Sequence, residues 1–136
     1  MDAILEQKVE SLRRCIQRVS EKTPDDVSRL IDDADLQDIL VLNLARAVQL
    51  CVDIGSHFIS QTEEPAPTTM GSVFTTLAKL NIISAATSES MRKAVGFRNV
   101  AVHNYEAINW EIVFAICTRS LDDFRQFAQE IAALDS

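Results

Sequence analysis

The first third of the chain places apolar residues with the period of an α-helix. From Asp2 to about Ser20 they recur at steps of three and four: Ile4, Leu5, Val9, Leu12, Ile16 and Val19. This spacing puts them on one face of a helix, and Asp2 can cap its start. In "KTPDDVSRLI", Thr23 is expected to cap a short second helix, with Pro24 at its first position. Two helices are therefore predicted before residue 35.

The longest apolar-rich stretch is predicted to form a central helix from Asp35 to about Ser60, "DLQDILVLNLARAVQLCVDIGSHFIS". At 100° per residue, apolar side chains surround nearly the whole helix. The exception is a narrow polar stripe that holds Arg46, Gln49, Asp53 and His57. Such a helix is buried on most sides, so its stripe must meet water, a partner chain or a site.

Three more helices are predicted beyond an exposed loop, "QTEEPAPTTMG" at 61–71, which contains two prolines. "SVFTTLAKL" is typical of a short helix and "SESMRKAVGFRNVAVH" of a longer one. The longer helix should bury one side, which carries Met91, Ala94, Val95 and Val102. Asn109 can cap the last helix. Without strand-like alternation or repeats, the pattern predicts a single all-α domain over 1–136, an up-and-down bundle of four to five main helices.

Length and composition fit this prediction and narrow the class of protein. The chain has 136 residues, 47% of them apolar, and only three glycines and three prolines, which favours one helical domain with a substantial core. A charged N-terminus and the lack of about 20 uninterrupted apolar residues predict a soluble, cytoplasmic protein without a membrane partner. Three widely spaced cysteines without CxxC or zinc-ligand spacing are expected to be reduced core residues, and no metal or cofactor is expected.

Net charge argues against a protein that coats nucleic acid by charge alone. The formal charge is −7, whereas neutralising phosphates needs clustered Lys and Arg. One segment departs from this average. The segment from Glu89 to Tyr105 contains one carboxylate, Glu89, and three cations, Arg92, Lys93 and Arg98. The net charge of this segment is therefore −1 + 3 = +2. Chemistry that involves an anion is therefore best sought in this segment.

That basic segment ends in "RNVAVHNY", which holds an arginine, an amide, a histidine and the only tyrosine of the chain. In a straight helix Arg98 and His103 would point about 140° apart, while Asn99 and His103 would share a face. Contact between Arg98 and His103 thus needs one of three arrangements. The helix unwinds near His103, the guanidinium reaches round the helix, or a second subunit supplies one of the groups.

These residue types suit phosphodiester cleavage. A histidine can transfer protons near neutral pH, and an arginine fork can hold a phosphate and stabilise the charge that develops on it. No metal is required if the ribose 2′-hydroxyl is the nucleophile, which would restrict the substrate to RNA. From spacing alone, a simpler interpretation is a solvated pair at a helix end, with His103 bonded to a free carbonyl.

Asp53 and His57 are open to two interpretations of the same kind. Four positions apart, they can pair on a solvated helix face without any further role. They could also join acidic residues at 32–38 in a metal-dependent phosphohydrolase. These residues lack a ligand repeat such as HExxH or an EF-hand loop, which makes this the weakest alternative.

The complete string matches RxxxxHxY and resembles the signature of the HEPN superfamily, specifically of HepT-like toxins that are paired with minimal-nucleotidyltransferase antitoxins. "AVQLCVDIGSHFIS" also resembles the corresponding long helix of these proteins. The resemblance implies a helical bundle that dimerises so that two motif copies line a shared cleft. It further implies a metal-independent endoribonuclease, the toxin of a type VII toxin–antitoxin system, that cleaves tRNA or mRNA.

The resemblance also assigns roles to individual residues. Arg98 and His103 take the catalytic places, and Tyr105 takes the place of the tyrosine to which the cognate nucleotidyltransferase adds AMP. Asn99, Asp53 and His57 are expected to support the cleft. The implied partners are a second copy or a higher oligomer, the antitoxin, and RNA. The alternative within the same superfamily is a catalytically inactive HEPN module that binds a nucleotidyltransferase.

Overall fold

One long central helix organises the fold of the computed structural model, which describes residues 2–134. The helices are α1 (Ala3–Lys22), α2 (Val27–Ile31), α3 (Ala34–Ser60), α4 (Met70–Lys79), α5 (Ala85–His103), α6 (Trp110–Ala115) and α7 (Leu121–Ala133). A 3₁₀ turn, Tyr105–Ala107, connects α5 to α6, and a π-helical turn, Ile116–Ser120, joins α6 to α7. Residues 2–134 contain no strand, so the predicted all-α bundle is confirmed.

α3 is the core of the bundle because it packs against α1, α2, α4, α5 and α7. Its apolar side chains are buried along most of its length, as the pattern predicted. Its length and the mean hydropathy of 1.5 in its most apolar window would also allow a membrane span, but half of that window is buried in the bundle. A core helix meets the same length and hydropathy criteria, so these are weak evidence for a span.

The first two helix boundaries confirm one predicted cap and correct another. Asp2 caps α1 and accepts a hydrogen bond from the Leu5 N–H at 2.8 Å. Thr23 does not cap α2: it ends α1, where its hydroxyl donates to the Val19 carbonyl at 2.7 Å. Asp26 caps α2 instead and accepts from the Arg29 N–H. A threonine hydroxyl can serve either helix end, and here it shares the Val19 carbonyl with the Thr23 N–H. α2 begins only at Val27, so Pro24 does not take its first position.

The start of α5 is held by a contact from the other end of the chain. Its N-cap is Ser84, and the Ser84 N–H donates to Glu130 Oε1 of α7 at 2.6 Å. The Thr87 hydroxyl donates to the other oxygen of the same carboxylate. A carboxylate at a helix N-terminus also complements the helix dipole. Because α5 carries the "RNVAVH" segment, this contact helps to fix the helix on which the candidate site lies.

The buried face of α5 agrees with the prediction except near its end. Met91 and Val95 are buried, but Val102 is 51% exposed. In the last turn of α5 it is the neighbouring Ala101 that is buried in the core. The three cysteines are buried and free, as predicted.

Gly55 marks the closest approach of α3 to α4. A Cβ atom at Gly55 would lie 2.7 Å from Val73 Cγ1 and 2.8 Å from Leu77 Cδ1. We therefore expect Gly55→Ala to lower the free energy of unfolding by about 1–3 kcal/mol, the usual effect of overpacking a core. Gly71→Ala is the matched control, since a Cβ there meets nothing within 4 Å. Urea denaturation measures both variants, and equal stabilities would contradict the proposed close packing.

Candidate functional site

The predicted site lies where α5 ends. α5 remains helical through His103, and Asn104 closes it by donating its N–H to the Val100 carbonyl at 2.9 Å. The helix therefore does not unwind before His103, which excludes the first of the three arrangements considered above. His103 is exposed in the last turn, where its imidazole can meet a ligand from solvent.

Arg98 and His103 diverge within one chain, as their spacing predicted. They lie about 7.5 Å apart along the helix axis and point about 140° apart. Arg98 is half-buried, and its Nη1 donates to Asn99 Oδ1 at 3.5 Å. Within residues 2–134 its guanidinium forms no ion pair. The charge of Arg98 is thus available to an anion. For Arg98 and His103 to contact the same anion, the Arg98 side chain must reach round the helix or a second chain must supply one of the two groups.

Tyr105 is held firmly beside this helix end. Its hydroxyl donates to Asp38 Oδ1, near the start of α3, at 2.6 Å. Its ring packs edge-on against Trp110 of α6, with the ring centroids 6.0 Å apart. The tyrosine remains 40% exposed. Contacts from two helices thus fix its orientation and leave it reachable.

The sequence analysis did not connect Asp38 or Trp110 with Tyr105, and it considered Asp38 only among the acidic residues at 32–38. Asp38 is 67 positions from Tyr105, so no local pattern could pair them. The one available signal was that Asp38 lies about 20° from Gln49 on the helical projection of α3, and so belongs to its polar stripe.

The surroundings of Tyr105 favour its neutral form. Burial, and then the hydrogen bond and the negative charge of Asp38, raise the pKa of Tyr105 to about 12. The phenol therefore stays protonated at physiological pH. Any reaction of its oxygen needs a group that accepts the proton, and Asp38 already occupies that position.

We expect absorbance titration of the single tyrosine to give a midpoint near pH 12 in the folded protein. Asp38→Asn should lower the midpoint, because it removes the negative charge. An unfolded chain releases this proton near pH 10. The contribution of the protonated Tyr105 to the free energy of unfolding is thus fully present below pH 10 and is lost as the pH rises from 10 to 12. Tyr105→Phe should lack this loss. A wild-type midpoint near pH 10 would contradict the assignment.

Asp53 and His57 do not pair with each other. Asp53 accepts from Gln49 Nε2 at 3.0 Å and pairs with Lys8 Nζ at 3.5 Å. His57 Nε2 lies 2.9 Å from Asp2 Oδ2. The hydrogen bond from the Leu5 N–H, aided by His57, holds the pKa of Asp2 below its usual value. The two side chains therefore connect α3 to the start of α1.

Asp53 and His57 lie far from the end of α5, which bears on their predicted role in the cleft. Asp53 lies about 22 Å along α3 from Asp38, the residue that holds Tyr105. In the described part of the chain, neither Asp53 nor His57 bonds to Arg98, His103 or Tyr105. A role for them in a shared cleft would depend on a second copy and stays a prediction.

The same distance argues against the metal-dependent alternative. It requires Asp53 and His57 to meet the acidic residues at 32–38, which lie at the opposite end of α3. No group of three or more His, Cys, Asp or Glu side chains among residues 2–134 is arranged to hold a metal ion.

Comparison with known families gives this geometry its context. The model of the family described as Ribonuclease HepT-like matches residues 9–131. The chain belongs to this family. The match spans nearly all the described helices and includes the complete RxxxxHxY motif. It confirms the family that the motif indicated, and with it the ribonuclease class of enzyme.

Relatives of this HepT-like chain agree over almost its full length. It is 37% identical over 133 residues to mRNA nuclease HepT of Shewanella oneidensis, covering 98% of this chain and 99% of that protein. It is similar to the tri-AMPylated Shewanella oneidensis HEPN toxin solved in complex with MNT antitoxin. There the TM-score is 0.91, the identity 37%, and the coverage 98% and 99% of the two chains.

A toxin–antitoxin structure with AMP-PNP matches this HepT-like chain equally well. The TM-score is 0.91 and the identity 36%, over 97% of this chain and 99% of that one. The HEPN fold that the sequence predicted is therefore confirmed.

Proposed function

We propose that this protein is the toxin of a toxin–antitoxin pair, an endoribonuclease that cleaves cellular RNA with Arg98 and His103. The observation that carries the proposal is that His103 and Tyr105 lie exposed at the end of α5, on which Arg98 precedes them by little more than one turn, in a HepT-like chain. The name of the Shewanella oneidensis relative, mRNA nuclease HepT, supports mRNA as the class of substrate.

The proposed reaction needs only protein side chains and the ribose. The 2′-hydroxyl attacks the neighbouring phosphorus and the bond to the 5′-oxygen of the next nucleotide breaks, which leaves a 2′,3′-cyclic phosphate. His103 accepts the proton of the 2′-hydroxyl and then returns a proton to the departing oxygen. Arg98 holds the phosphate and stabilises its additional charge through two parallel N–H donors. Because the two side chains diverge in one chain, a homodimer or higher oligomer would complete the cleft.

Tyr105 is the proposed point of control. A cognate minimal nucleotidyltransferase would transfer AMP from ATP to its hydroxyl oxygen, which attacks the α-phosphorus and releases pyrophosphate. Asp38, 2.6 Å away, would accept the proton. The solved relative in complex with MNT antitoxin is tri-AMPylated, which supports this chemistry. Each added AMP brings a bulky base and negative charge beside Arg98 and His103, so it would compete with RNA for the same donors.

Incubation of the purified protein with total RNA in the presence of a chelator tests the activity. We expect cleavage products that end in 2′,3′-cyclic phosphate. Intact RNA after incubation with wild-type protein would contradict the proposal. It would favour the inactive binding module if the protein still bound its nucleotidyltransferase.

A further inference from the structure

A groove between α1 and α3 carries three arginines, and we define it as the arginine groove by Arg14, Arg18 and Arg46. It encloses about 780 Å³, and none of its lining residues is acidic. The whole chain carries −7. The groove, with three cations and no carboxylate, is therefore positively charged on a protein whose net charge is negative.

The arginines of the groove lack the carboxylate partners that three exposed arginines, Arg13, Arg29 and Arg125, have. Arg13, one position before Arg14, bonds to Glu10 at 2.8 Å, and Arg125 bonds to Asp122 at 2.7 Å. Over residues 2–134, none of the three groove arginines forms an ion pair. Their fork-shaped donors are consequently free for an anionic ligand, and guanidinium groups suit phosphate especially well.

Positive charges line the groove on both of its walls, α1 and α3. Burial raises the pKa of the Cys15 thiol, while the positive charges of Arg46 and Arg14 oppose this rise. One arginine comes from α3 and the other from α1, so Cys15 lies within reach of both charges. An anion in the groove would be contacted from both of its walls.

The groove also has apolar surface and a defined position. Leu42, in its wall, is 56% exposed. Leu42 follows Asp38 by one helical turn, about 6 Å along the axis, and Asp38 bonds to Tyr105. The groove therefore begins one turn from Asp38, which holds Tyr105, two positions after His103. Guanidinium groups beside an exposed apolar side chain suit a single strand, whose phosphates and unstacked bases are both accessible.

We propose that the arginine groove binds the phosphodiester backbone of single-stranded RNA and guides the strand to His103. This inference rests on the proposed ribonuclease function and extends it from the cleavage point to the path of the substrate. If each arginine contacts one phosphate, the groove accounts for about two units of slope in log affinity against log salt for a single strand.

Binding can be measured separately from cleavage in a His103→Ala background, by fluorescence anisotropy of a labelled single-stranded RNA oligonucleotide at several salt concentrations. The test variant combines Arg14→Gln, Arg18→Gln and Arg46→Gln. The matched control combines Arg13→Gln, Arg29→Gln and Arg125→Gln, which removes the same charge at ion-paired positions. We expect the test variant to lose at least about tenfold in affinity and about two units of salt slope, and the control to lose less than about twofold.

A second variant, in which all three groove arginines become lysine, keeps the charge and should recover most of the binding. It also guards against misfolding of the glutamine variant. Equal losses in test and control variants would overturn the proposal. Dissociation of an oligomer by the groove substitutions, seen by analytical ultracentrifugation, would also overturn it, because the groove would then hold a second copy of the chain. RNA binding without cleavage by wild type would count against the proposed function and not against the groove.

Discussion

His103→Ala should reduce the rate of RNA cleavage by a factor of roughly 10²–10⁴, the usual contribution of a positioned acid–base group. His103 is exposed at the end of α5, so its removal exposes no core and should leave the fold intact. Arg98→Ala should cost a comparable factor of roughly 10²–10³, since it removes the donors that stabilise charge on phosphorus. Initial rates on a fluorescent RNA substrate with chelator present measure both effects.

The control for these two variants is Arg125→Ala, which removes an exposed arginine that is paired with Asp122 on α7. We expect its cleavage rate to equal that of the wild type. Wild-type rates in both site variants would show that the motif does not carry the reaction. Circular dichroism confirms that each variant is folded, so that a lost rate can be assigned to chemistry.

Tyr105→Phe should make the protein resistant to its antitoxin. The phenylalanine ring can keep its packing on Trp110, but it offers no oxygen for AMP transfer. With the cognate nucleotidyltransferase and ATP, wild-type protein should gain the mass of AMP and lose RNA cleavage. The variant should gain none and cleave RNA at the rate seen without antitoxin. Loss of the hydrogen bond to Asp38 should cost only about 0.5–1.5 kcal/mol of stability.

Asp38→Asn tests the proton acceptor separately from the Tyr105 oxygen that receives AMP. It keeps Tyr105 and should slow AMP transfer without abolishing it, while cleavage of RNA by the unmodified protein stays the same. AMP found on Tyr105→Phe would place the modification elsewhere. Full transfer to Asp38→Asn would remove the proposed role of Asp38.

Much of the candidate site could be predicted because its signals are local. Arg98, Asn99, His103 and Tyr105 lie within eight positions, and the divergence of Arg98 from His103 follows from helix geometry alone. Asp53 and His57 were harder to interpret. Their four-residue spacing fits a mutual pair, yet Asp53 has its ionic partner on α1 and His57 has its partner in the N-cap of α1. Spacing along one helix cannot reveal which neighbouring helix offers a better ionic partner.

The amino-acid sequence by itself determined the main helices, the buried face of α3, the cap at Asp2 and the family. Each of these depends on residues within a few positions of one another, because helical hydrogen bonds and apolar periodicity are short-range. The sequence did not predict the π-helical turn that divides the last helix into α6, capped by Asn109, and α7. The tertiary structure alone decided that Asp38 holds Tyr105, that Glu130 fixes the start of α5, and that arginines of α1 and α3 share one groove. Those contacts depend on how helices cross and in which register they pack, and an apolar period does not specify either.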